Sequence, residues 1–228
     1  FLFTAQMINF SIPGTGSSGH LGGGLLLAML LGPHAAFLVV ASVLIVQALF
    51  FADGGLLALG CNIFNLGFFP AFIGYPLYRR LAGGTPGTPR ATVAAIAAAV
   101  VSLQLGAVAV VLQTVASGIS ALPLGTFALF MLPVHFAIGI VEGVVTATVV
   151  TFVRATRPGI LPGAAPSSRS VSGIVASIAA VALALGGIGA WCGSKNPDGL
   201  EWSITRITGI DAPDSPQTVL HASLAELQ

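Results

Sequence analysis

The sequence predicts an all-α, polytopic transmembrane helical bundle of about seven spans, the first of them truncated, and three observations predict it. Charged residues make up only 7% of the 228 residues and hydrophobic residues 55%, against about 25% charged in an average soluble domain. Mean hydropathy is +0.98 over the whole chain rather than in one leader. Apolar runs approaching or exceeding the roughly 20 residues that a helical span requires recur between short polar breaks. An ordinary soluble enzyme is excluded, and a net charge of +1 offers nothing to a nucleic acid.

Taken in order, the apolar runs are 1 to 12, 19 to 32, 34 to 52, 55 to 78, 91 to 117, 122 to 153 and 171 to 192. The first run opens on Phe1 without a basic flank or a small-residue cleavage pattern, so it reads as the inside of a span and not as a signal peptide. The second is short and Gly-rich, the pattern of a helix that starts within the membrane after an irregular, cavity-lining entry. Six of the eight basic residues (Arg79, Arg80, Arg90, Arg154, Arg157 and Arg169) lie in two loops, 79 to 90 and 154 to 170. The positive-inside rule makes both loops cytoplasmic, and the two spans between them agree. Counting outward from these loops places the Pro33 turn inside. The break carrying His20, the Asp53 turn, the 116 to 123 turn and the acidic tail after Trp191 then fall outside. The chain divides into a membrane domain at 1 to 157, a Pro/Gly-rich linker at 158 to 170 and an extra helix with its tail at 171 to 228.

Few residues carry chemistry. Gly14, Gly16 and Gly19 spell G-x-G-x-x-G, but no βαβ unit surrounds them and no acid follows about 20 residues on, so a dinucleotide site is rejected. His20 has two readings, a histidine hydrogen-bonded at a helix start or a ligand to a first-row transition metal at the outer mouth. His135 and Glu142 are seven residues apart and share one helix face near mid-membrane. Glu142 is either an intramembrane functional carboxylate or a hydrogen-bonding tie, with Gly139 and Gly143 bringing a second helix close. Gln6, Asn9, Ser18 and Asn62 are candidates to line the polar cavity, and Asn65 is a further amide of that kind. Asp53 is explained by its Asp-Gly turn or belongs to the same external mouth. Cys61 and Cys192 form no disulfide framework or paired-cysteine zinc site. H-E-x-x-H and the P-loop are both absent from the sequence, which disfavours a metalloprotease and leaves any ATP hydrolysis to a partner. No catalytic residue is assigned.

Several long motifs occur in order: QMINFSIPGTGSSGHLGGGLLLAMLLGP, QALFFADGGLLALGCNIFNLGF and MLPVHFAIGIVEGVVTATVV. In this order they closely resemble the CbiM/NikM family, the substrate-binding membrane components of energy-coupling factor transporters for cobalt and nickel. The tail SKNPDGLEWSITRITG resembles the PDGLE segment of some members. The resemblance implies that His20, in the S-G-H-L motif from Ser18 to Leu21, ligates the transported Co2+ or Ni2+, with no permanently bound cofactor. It implies a multi-pass protein of a bacterial or archaeal cytoplasmic membrane that is not itself an enzyme. Its partners would be a CbiQ/NikQ-like transmembrane coupling subunit and CbiO/NikO-like ABC ATPases. In the family the other principal ligands come from an N-terminal Met-His pair, which a chain starting at Phe1 lacks, so this stretch is expected to hold the receiving part of the site. Two other classes stay open on the residues alone: a stand-alone ion-coupled transporter or channel using His135 and Glu142, and a structural subunit docking a cytoplasmic complex.

Overall fold

The computed structural model describes residues 2–7, 9–12, 17–51, 53–83, 87–118 and 123–157. The expected span at 171 to 192, the linker at 158 to 170, the PDGLE-like tail, Gly14 and Gly16 lie outside the described residues.

Helix α1 (Leu2–Gln6) leads into a hairpin of β1 (Asn9–Ile12) and β2 (Ser17–His20). The strands pair antiparallel with Asn9 opposite His20 and Ile12 opposite Ser17. The apolar run 1 to 12, read as one helical span, is therefore a five-residue helix followed by a strand. The physical reason is visible in Asn-Phe-Ser-Ile, where apolar and polar residues alternate with the period of a strand. A hydropathy average over the run conceals that alternation.

Helix α2 (Gly24–Leu31) follows, eight residues long, or about 12 Å at 1.5 Å per residue. That is less than half of the roughly 30 Å hydrocarbon core. It has the form of a half-span entered from an irregular segment, as the Gly-rich second run predicted. At Gly32 the backbone turns through φ +85° into α3 (Pro33–Phe50), whose Pro33 sits in the first turn, where a missing N–H costs nothing. Next comes a nearly unbroken helical rod. It consists of α4 (Leu59–Ile63), a wide i→i+5 segment (Phe64–Gly74) containing Pro70, and α5 (Tyr75–Ala82). Helix α6 (Pro89–Ser117) begins with Thr88 accepting the Ala91 N–H at 3.2 Å, a side-chain cap. Helix α7 (Leu124–Thr156) completes the described chain.

Among the described residues α3, α6 and α7 are long and apolar enough to cross a membrane. Their outward faces carry large exposed apolar side chains, including Leu38, Phe50, Val93, Leu129 and Phe152. Such a belt is unfavourable in water and natural in lipid. Inside, α6 buries Ala91, Ala94, Ala95, Ala98 and Ala99 against Leu25 and Met29 of α2, Tyr78 of α5 and Val150 of α7. Small residues let helix backbones approach where hydrophobicity supplies no drive between helices. On α7 a Cβ at Gly139 would lie 2.8 Å from Val100 Cα, and one at Gly143 would meet Ile96 Cα. These pairs, with Gln104 donating to the Leu132 carbonyl at 2.8 Å, define an antiparallel α6–α7 register.

The two poles differ in character. At one, Arg90 Nε donates to the Leu81 carbonyl at 2.7 Å, Gly87 faces Thr151, and Pro33 lines a hollow with Tyr75, Pro76, Arg79 and Arg80. At the other, Ile12 of the hairpin packs with Val111, Phe127 and Met131. Arg79, Arg80, Arg90 and the Pro33 turn thus share one pole, and the hairpin strands share the opposite one with the C-terminal end of α6 and the N-terminal end of α7.

Gly143→Ala should lower the unfolding midpoint in detergent by the equivalent of about 1–3 kcal/mol, the usual cost of overpacking. Gly125→Ala, where nothing lies within 4 Å, should leave it unchanged or raise it. Thermal unfolding of the two variants checks the α6–α7 contact.

Candidate metal-handling site

Inward of the hairpin, the buried polar groups are organised about the three glycines from Gly22 to Gly24. Gly23 adopts φ +69° with Leu2 folded over it, and a Cβ on Gly24 would sit 2.8 Å from the Leu66 carbonyl. Only glycine fits this corner, where the extended strand becomes α2. No side chain of α2's own segment caps its start. The cap comes instead from α7, where Glu142 Oε2 accepts the Gly22 N–H at 2.7 Å and the backbone of Gly23 adds a second interaction. On the other side of the same residue, Gln6 Nε2 donates to the Gly22 carbonyl at 2.7 Å. Gln47 Nε2 of α3 then donates to Gln6 Oε1 at 3.1 Å. Gln6, Gln47 and Glu142 are all buried, and among the described residues no buried side-chain nitrogen or oxygen lacks a partner.

His20 is half-buried at the end of β2, its Nδ1 3.2 Å from the Leu21 carbonyl. His135 is held in the same manner, Nδ1 being 2.9 Å from the Met131 carbonyl one turn earlier. When Nδ1 carries the proton, this contact is a donated hydrogen bond and Nε2 is left with its lone pair, the form in which imidazole ligates metals. The two imidazoles are close enough to interact electrostatically. Between Gly22 and His20 the extended chain rises about 7 Å, and between Glu142 and His135 the helix rises about 10 Å.

The remaining candidates divide. Asn9 is exposed opposite His20 in the hairpin ladder, and Ser18 sits two residues before it. Gln6 belongs to the Gly22 cluster. The Asp53 N–H donates to the Gln47 carbonyl at 3.2 Å, which brings the Asp-Gly turn beside that cluster. Asn62 Nδ2 donates to the Gly54 carbonyl at 3.0 Å, closing the turn rather than joining His20. Asn65 makes a reciprocal amide pair with Gln113 of α6, at 2.8 and 3.3 Å. Among the described residues no group of three His, Cys, Asp or Glu side chains is arranged to hold a metal. Gln47 was not singled out from the sequence. Its signal was available, an amide in an otherwise apolar span, which needs an internal partner.

The fold and site define an integral membrane protein in which a histidine-bearing hairpin at one pole leads inward to a hydrogen-bonded amide–carboxylate cluster partway along α7. Residues 1–160 match the family model described as the cobalt uptake substrate-specific transmembrane region, CbiM, and residues 172–228 match the PDGLE domain. The chain belongs to the CbiM family of cobalt and nickel transport membrane components. It is 37% identical over 184 residues to the putative fused nickel transport protein NikMN of Archaeoglobus fulgidus, covering 79% of this chain and 59% of that one. It is 31% identical over 185 residues to the fused nickel transport protein NikMN of Rhodobacter capsulatus (74% and 52%). With the cobalt transport protein CbiM of Sorangium cellulosum it shares 32% identity over 163 residues (70% and 72%). This chain thus spans little more than half the length of the two NikMN relatives. A crystal structure of a truncated transition metal transporter superposes with a TM-score of 0.59 at 34% identity, covering 68% of this chain and 77% of that one.

Gln47→Leu should cost about 1–3 kcal/mol, because it removes the donor to a buried acceptor on Gln6. Ser42→Ala on the exposed side of the same helix should be near neutral. Unfolding midpoints in detergent compare the two.

Proposed function

We propose that this chain is the metal-ion-binding membrane component of an ATP-driven cobalt or nickel uptake transporter of the energy-coupling factor type, with His20 as a ligand. The observation that carries this reading is His20 itself, set on a short hairpin, its Nδ1 beside a backbone carbonyl and its half-buried ring at the polar pole. A neutral imidazole so presented suits Ni2+ and Co2+, which take nitrogen donors. His135 contributes a second imidazole nearby, and Asn9, Ser18 and Asp53 surround the mouth. Membership of the CbiM family and the nickel and cobalt transport names of its relatives support the substrate class.

The energy source is assigned to partners: a transmembrane coupling subunit and ABC ATPase subunits. The basic pole, with Arg79, Arg80 and Arg90, is the cytoplasmic side on which they would act, and the His20 pole is external. A stand-alone relay through His135 and Glu142 is less well supported, since Glu142 is engaged with the Gly22 backbone rather than with His135.

His20→Ala in the full-length protein should weaken Ni2+ or Co2+ binding at least tenfold by titration calorimetry, and uptake should require the ATPase partners. Unchanged affinity in that variant would remove His20 from the site, and ATP-independent uptake by vesicles holding this protein alone would favour the stand-alone transporter. Sidedness has its own check. With Cys61 and Cys192 replaced by serine, Asp53→Cys should react with an impermeant maleimide in intact cells, and Arg80→Cys only after lysis.

A further inference from the structure

We propose that Glu142 is a positioning residue that sets the place of His20 by clamping the Gly22 peptide from a neighbouring helix. The inference rests on the reading of His20 as a metal ligand and adds to it the device that holds the ligand still.

Leu21 alone separates His20 from Gly22, and three successive glycines follow, so local sequence gives this stretch little rigidity. Glycine loses more conformational freedom on ordering than any other residue. The hairpin has only four residues per strand, and a two-stranded hairpin is marginal alone. Order must be imposed from outside: Ile12 packs one end of the hairpin against Val111, Phe127 and Met131, and the end next to His20 is held at Gly22. Gly22 has its N–H bound by Glu142 of α7 and its carbonyl bound by Gln6 of α1, and Gln6 is in turn held by Gln47 of α3. Three elements therefore fix a single residue two positions from the imidazole. Glu142 itself cannot drift, because Gly139 and Gly143 seat its helix against Val100 and Ile96 of α6.

Here the carboxyl acts as an acceptor of known reach, not as a charge delivered to the ion. That distinction predicts an unusual order of substitutions. Glu142→Gln keeps the side-chain length and an acceptor oxygen, whereas Glu142→Asp keeps the charge but shortens the side chain by one methylene, about 1.5 Å. A group acting as a metal ligand or proton relay would show the reverse order, with the aspartate variant tolerated and the glutamine variant not.

The test uses full-length protein in lipid nanodiscs as wild type, His20→Ala, Glu142→Gln, Glu142→Asp and Glu142→Ala. Two readouts apply: Co2+ affinity with its visible d–d absorption, and hydrogen exchange of the 17 to 25 segment without metal. Glu142→Gln should stay within about threefold of wild-type affinity, with the wild-type spectrum and wild-type protection. Glu142→Asp and Glu142→Ala should lose at least tenfold, the range typical of groups that orient a ligand, and their 17 to 25 segment should exchange faster. Equal loss in the glutamine and alanine variants, or a better result for aspartate than for glutamine, overturns the clamp in favour of a direct role for the charge. Unchanged protection and affinity in both the aspartate and alanine variants overturn it outright. If only His20→Ala weakens binding, the site stands and the clamp falls. If His20→Ala binds as wild type does, the reading of the site falls, and exchange still decides whether the clamp exists.

Discussion

The contact on which the rest of this structure depends is the hydrogen bond from the Gly22 amide to the Glu142 carboxyl. A carboxyl buried among apolar helices carries a large desolvation cost unless donors surround it, and free backbone amides at a helix start need an acceptor. Each group is the other's solution. The bond also spans 120 residues of sequence, joining the N-terminal hairpin region to the last described helix. It therefore sets where the short elements at the front sit relative to the long helices behind them. The α6–α7 pair, locked by small residues, is the fixed frame. The hairpin and half-span are attached to it through Glu142 and Ile12, and the glutamine chain ties them to α3.

Hydropathy and charge distribution were enough to read α3, α6 and α7, the half-span character of α2 and the separation of a basic pole from the His20 pole, because a bilayer imposes long apolar runs and keeps arginine at their ends. The G-x-x-x-G spacing of Gly139 and Gly143 was equally legible, since helix geometry converts four-residue spacing into one face. The hairpin was not. Its strands are shorter than the window over which hydropathy is informative, and Ser-Ser-Gly-His has no strand pattern of its own.

The partner of Glu142 was hidden for a different reason. A side chain that binds a side chain leaves two marks in a sequence, but every residue except proline carries a backbone N–H, so Gly22 bears no mark as an acceptor's partner. Only the triple glycine hinted that something approaches closely there. Gln6 and Gln47 show the intermediate case. Each is conspicuous as an amide in an apolar segment, and the rule that such groups need partners says that they pair without saying with whom. Asn65 and Gln113 were paired by the fold in the same way.

Tying the carboxylate into the backbone also bears on which ions the proposed site would accept. Carboxylate oxygens suit the hard, abundant cations Mg2+ and Ca2+, whereas imidazole suits nickel and its neighbours. Glu142 Oε2 accepts from Gly22, and the side chains placed around the mouth are the imidazoles with Asn9, Ser18 and Asp53. Asp53 is the acid among them, and its turn is folded back onto Gln47. On the proposed reading, Glu142 serves the placement of the backbone beside His20, and ligation is left to the nitrogen donors.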